Sequence, residues 1–94
     1  MINQVSFDLM TANGPRHITI TPINEPVRGG DFFSTGIYKL SAGVVGIGDI
    51  IFDLEMKKWV YNGIGELSYE QAAKVADFIK HYKDPPWADP NLLQ

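Results

Sequence analysis

Two histidines, eleven carboxylates and no cysteine make up the reactive inventory of this 94-residue chain. Without thiols there is no disulfide, no thiolate metal ligand and no cysteine nucleophile. His17 falls on the polar side of an alternating run, and His81 falls late in a helical stretch. Neither has a His, Asp or Glu at the spacing of a metal motif. A protonated histidine near a helix carboxyl end is favoured by the dipole, which accounts for His81 without chemistry. There is no Gly-x-Ser-x-Gly elbow and no Ser, His and acid in a nucleophilic order. Asp49, Asp53, Glu55 and Glu66 gather around one hairpin. Paired carboxylates do general acid–base work when their surroundings split their pKa values. Acids on a hairpin rim ordinarily solvate the surface and discourage edge pairing. The expectation is a chain with no catalytic residue, no metal site and no cofactor.

Gly43, Gly46 and Gly48 are the nearest approach to a phosphate loop. A phosphate cradle places its glycines after a strand and before a helix amino terminus, where free amides face the anion. Here Ile50, Ile51 and Phe52 follow, which is strand, so these glycines read as turn and bulge residues. If a small ligand binds, this segment and the acidic rim are where a pocket is expected. Contact chemistry is better represented. Phe32 and Phe33 stand in a glycine-bordered stretch, Ile51 and Val60 share the outer side of a hairpin, and Trp87, Leu92 and Leu93 end the chain. Either these residues cover the chain's own sheet or they form a surface for a partner.

The elements that must position them follow from periodicity. Val5, Phe7 and Leu9 alternate with Ser6 and Asp8, and Ile18 and Ile20 alternate with His17, Thr19 and Thr21. Both are period-2 strands with one buried face. Between them Thr11-Ala12-Asn13-Gly14-Pro15 predicts a turn slightly longer than the tightest kind, and Pro22 closes the second strand. Residues 23–35 hold Pro26, Gly29 and Gly30 and read as an irregular loop, with a short strand over Gly36–Ala42 after it. Asp49–Asp53 and Lys58–Asn62 predict a hairpin in which Phe52 faces Trp59, Ile51 faces Val60 and Ile50 faces Tyr61. A one-residue slip would set aromatic against charged positions and scramble both faces. Leu67-Ser68-Tyr69-Glu70-Gln71 fits a capping box with Ser68 as N-cap. Ala72, Val75, Ala76, Ile79 and Tyr82 form one helical stripe with Phe78 on its flank, and Glu70 and Lys74 are spaced for an outer ion pair. Asp84-Pro85 predicts the helix end, and a proline-rich tail follows.

The bulk properties agree with one small domain spanning 1–94: mostly β over 1–66, helix over 68–83 and an extended tail over 84–94. The fold class expected is α+β, a curved antiparallel sheet of about five strands with one C-terminal helix packed on one face. The composition is 45% hydrophobic and 20% charged, well above what disorder requires. A formal charge of −3 disfavours nucleic acid, whose binders draw affinity from basic contacts to phosphate. Met1-Ile2-Asn3-Gln4 lacks the basic and apolar start of a secretion signal. No apolar run approaches the roughly 18–20 residues of a membrane span, so the cytoplasm is the expected location. The functional expectation is a non-catalytic interaction or assembly domain whose protein partner is itself, as a homodimer.

Overall fold

The computed structural model describes residues 1–26 and 32–85. Five strands, β1 (Val5–Thr11), β2 (Gly14–Pro26), β3 (Phe32–Ala42), β4 (Val45–Phe52) and β5 (Trp59–Asn62), precede one helix, α1 (Tyr69–His81). The strands lie in sequence order and each pairs antiparallel with the next, giving an open five-stranded meander. The helix packs on one face and touches both edge strands, β1 and β5, so the sheet curls around it. This is the α+β arrangement expected. Among the described residues no helix is long and apolar enough to cross a membrane.

Alternation decides which residues are covered. Leu9, Ile18, Ile20, Tyr38, Leu40, Ile50 and Phe52 project toward the helix and are buried with its stripe of Ala72, Val75, Ala76 and Ile79. Phe7 meets Phe78 with ring centroids 4.6 Å apart, and Tyr38 meets Phe52 edge-on at 5.8 Å. Such pairs add about 0.5–1.5 kcal/mol beyond the area they bury. One break in the alternation enlarges the core. Leu40 pairs with Gly48 but Ser41 pairs with Gly46, so Ile47 is an extra residue on β4. The bulge reverses the parity of the strand and sends Ile47 inward, where it is 2% exposed. Gly48 carries the bend at φ +125°.

Three boundaries differ from the sequence expectation. The β1–β2 connection is the two-residue kind, with Thr11 opposite Gly14 and the Thr11 hydroxyl donating to the Gly14 carbonyl at 2.6 Å. Strand β2 runs through Pro15 and Pro22 to Pro26, so residues 23–26 and 32–34 of the irregular loop expected over 23–35 belong to the β2–β3 ladder, while 27–31 lie outside the described residues. The prolines are tolerated for a geometric reason. N–H groups along an antiparallel strand alternate between its two neighbours. Counting from the tight pair Thr11–Gly14, even-numbered residues of β2 address β1 and odd-numbered residues address β3. Pro15 addresses β3 where β3 does not reach, and Pro22 addresses β1 beyond its last pair, Val5 with Ile20. Neither removes a ladder bond that had a partner.

The helix stops at His81 rather than 83, because Tyr82 takes extended backbone (φ −70°, ψ 135°) with its N–H on the Ile79 carbonyl. Its start is as expected. The Ser68 hydroxyl accepts from the Gln71 amide at 3.1 Å, and the Gln71 side chain accepts from the Ser68 amide at 3.0 Å.

Candidate functional site

The face of the sheet away from the helix has no covering element among the described residues. It displays Ser6, Asp8 and Met10 from β1, His17, Thr19, Thr21 and Ile23 from β2, and Ile37, Lys39 and Ser41 from β3. Asp49 and Ile51 of β4 and Val60 and Asn62 of β5 complete it. None of these side chains is buried. The register sorts them into rows. Ile23, Ile37, Ile51 and Val60 stand directly opposite one another across four strands, a continuous β-branched ridge. Val60, at the edge, is 60% exposed. The next row is polar and carries both signs: Thr21, Lys39, Asp49 and Asn62.

Ile51 and Val60 are brought together as the sequence implies. Ile23 and Ile37 join them, which sequence reasoning missed because it placed Ile23 in a loop. The alternation of Ile37 against Tyr38 and Leu40 was the available signal. The link from Ile23 to Ile37 depends on a second irregularity: Ile23 pairs with Ile37 but Asn24 pairs with Ser34, leaving Thr35 and Gly36 as extra residues. The Thr35 hydroxyl bridges the gap, donating to the Ile23 carbonyl at 2.6 Å. Gly36 sits at φ +81°, and a Cβ there would lie 2.9 Å from the Phe52 carbonyl oxygen. The backbone of Phe32 and Phe33 opens β3 opposite Pro26 and Glu25. Trp87, Leu92 and Leu93 lie outside the described residues.

The carboxylates of the hairpin region do not converge. Asp49 faces Lys39, Glu66 reaches Arg16 at 3.6 Å, and Glu55 reaches Lys57 at 3.2 Å. Asp53 works on its own turn, accepting from the Lys57 amide at 2.8 Å and the Lys58 amide at 3.3 Å. The hydrogen bond from Lys57 is the main cause holding the Asp53 carboxyl below its ordinary range, against an opposing desolvation. The same turn places Met56 at φ +57°. Among the described residues no group of three or more His, Cys, Asp or Glu is placed to hold a metal.

The glycines have structural duties. Gly43, at φ +62°, and Val44 form the two-residue β3–β4 turn, Gly taking the first position as a type II′ turn requires. Gly48 and Gly63 make room for the Tyr61 ring, where an added Cβ would come within 2.7 Å and 2.1 Å of it respectively. That ring donates its hydroxyl to the Ile47 carbonyl. Burial is the main cause pushing the Tyr61 phenol above its ordinary pKa.

A second feature lies between α1 and β5. A depression of about 420 Å³ is lined by Lys57, Trp59, Tyr69, Ala73, Lys74, Ala76, Asp77 and Lys80. Tyr69, Ala73, Ala76 and Lys80 follow helical spacing along one side, so the hollow exists because its two central positions are alanine. Trp59 and Tyr69 stack at 5.5 Å with 22° between planes and close one end. The outer pair expected between Glu70 and Lys74 is not among the ion pairs of the described residues; Lys74 lines this depression instead.

No protein-family model, curated protein or solved structure matches this chain.

Proposed function

We propose that the protein is a non-catalytic assembly module that pairs with a second copy of itself through the open face of its sheet. The observation that supports this reading is the Ile23–Ile37–Ile51–Val60 ridge, set on a face with no covering element among the described residues. The adjacent row carries Lys39 beside Asp49, so the patch holds both charges, as a two-fold pairing with its own copy needs.

Magnitude limits the affinity. Val60 is largely exposed and Ile23, Ile37 and Ile51 are partly buried already, so covering the ridge supplies about 2–3 kcal/mol per subunit. Association itself costs at least about 4 kcal/mol in lost freedom. The ridge only narrowly offsets that cost, so the dimer is expected to be weak and concentration-dependent, with Kd of about 1 mM or above.

Sedimentation equilibrium over a concentration series tests this. The native protein is expected to dimerise, and Ile51→Lys or Val60→Glu to remain monomeric with an unchanged melting temperature. A native protein that stays monomeric at the highest attainable concentration refutes the reading.

A further inference from the structure

We propose that the groove between α1 and the outer edge of β5 docks an acidic segment of another protein, which pairs with β5 as a sixth strand. The inference is independent of the open face. It rests on three observations.

First, β5 ends the sheet order, so one of its edges has no strand partner among the described residues. The Asp53 amide donates to the Lys58 carbonyl at 2.9 Å, which fixes the alternation along the hairpin. Lys58, Val60 and Asn62 address β4, while Trp59 and Tyr61 turn their N–H and C=O groups outward. Their spacing, two residues apart, is what an added antiparallel or parallel strand engages.

Second, the groove meets that strand at Trp59, next to Lys57 just before it, and is kept open on the helix side by Ala73 and Ala76, leaving space for side chains of an incoming strand.

Third, its charge is opposite to that of the protein. The chain carries −3 overall, yet the groove gathers Lys57, Lys74 and Lys80 against the single acid Asp77. Lys74 and Lys80 have no carboxylate within ion-pair distance among the described residues. Asp77 is turned to His81 at 3.3 Å, and Lys57 pairs with its near neighbour Glu55. Met1 and Arg16 are paired with Asp84 and Glu66, while Lys39, Lys58 and Lys83, like the groove lysines, have no carboxylate within ion-pair distance among the described residues; what sets the groove apart is that three lysines gather in it. Charge complementarity of this kind favours a carboxylate-rich partner and speeds its encounter.

The test uses the full chain and a labelled, capped hexapeptide of alternating Glu and Val, followed by fluorescence anisotropy at low salt. Saturable binding is expected, with the backbone amide signals of Trp59 and Tyr61 shifting on titration. The K74E/K80E variant, altered only at exposed helix positions, is expected to keep its melting temperature and lose affinity about tenfold or more. The same peptide N-methylated at alternate residues is expected to bind far less well, since strand pairing needs its N–H groups. Absence of saturable binding overturns the proposal, as does equal binding of a Lys-Val peptide or of the K74E/K80E variant. Undiminished binding of the N-methylated peptide also overturns it, reducing the groove to a lysine patch. Loss of self-association in K74E/K80E would show a second copy filling the groove, again against the proposal.

Discussion

Replacing Gly48 by alanine sets two parts of the fold against each other. Gly48 stands at φ +125°, a conformation L residues rarely adopt, and its added Cβ would lie 2.7 Å from the Asn62 carbonyl oxygen. The backbone strain alone amounts to about 1–3 kcal/mol. The steric conflict cannot be relieved cheaply, because Asn62 is backbone paired with Asp49 in the β4–β5 ladder. Forced repacking adds about 1–3 kcal/mol. A loss near 3 kcal/mol lowers the melting temperature of a domain this size by roughly 12–24 °C.

The control is two residues away. Gly46 has ordinary φ and nothing within 4 Å of an added Cβ. Gly46→Ala should therefore leave stability unchanged or raise it by about 0.4–1 kcal/mol, through the unfolded chain. Thermal and urea unfolding of both variants, followed by far-UV circular dichroism and tryptophan fluorescence, decides the matter. If Gly48→Ala melts within a few degrees of the native protein, or Gly46→Ala falls as far, the bulge and its consequence for Ile47 are wrongly described.

Ser68→Ala removes the acceptor for the Gln71 amide and should lose about 1 kcal/mol, read as a drop of roughly 4–8 °C in melting temperature. Asp53 has a folded pKa below its unfolded value, so its contribution is present above the ordinary carboxylate range and lost as pH falls through the folded pKa. Asp53→Ala should flatten that acid limb of the stability curve and lower the melting temperature at neutral pH; an unchanged limb would contradict the turn geometry. Tyr61 is the opposite case: with its folded pKa raised, its contribution is full below the unfolded value near 10 and lost as pH rises through the folded one. Tyr61→Phe should remove this alkaline dependence and cost about 0.5–1.5 kcal/mol at neutral pH, for the hydrogen bond to Ile47, by urea denaturation.

How much of this was legible before any coordinates depends on the range of the forces involved. The β4–β5 register was written in side chains that sit opposite one another, Phe52 with Trp59 and Ile51 with Val60, and the structure places them so. The capping box was equally local, needing only Ser68 and Gln71. The length of β2 was not legible. Pro22 reads as a stop unless the positions of both neighbouring strands are known, since only then is its missing N–H seen to address no partner. The ridge was half legible for the same reason: Ile51 and Val60 share a hairpin, whereas Ile23 reaches Ile37 only across the irregularity at Thr35 and Gly36. The groove beside β5 depends on where the helix lies relative to a strand, which no spacing in the chain encodes.

The clasp between the chain's beginning and the residues after the helix bears on how the molecule breathes. Asp84 holds the Met1 ammonium at 3.0 Å and the Ile2 amide at 2.8 Å, while the Asn24 side chain donates to the Ile2 carbonyl at 3.2 Å. The four residues ahead of β1 are thus moored without ladder pairing, to a point just past α1. An outermost strand ordinarily peels first, and peeling here has to release the helix exit as well. Amide exchange along Val5–Leu9 should accordingly follow that of the last helical turn, the two opening as one unit rather than as a loose border and a firm interior.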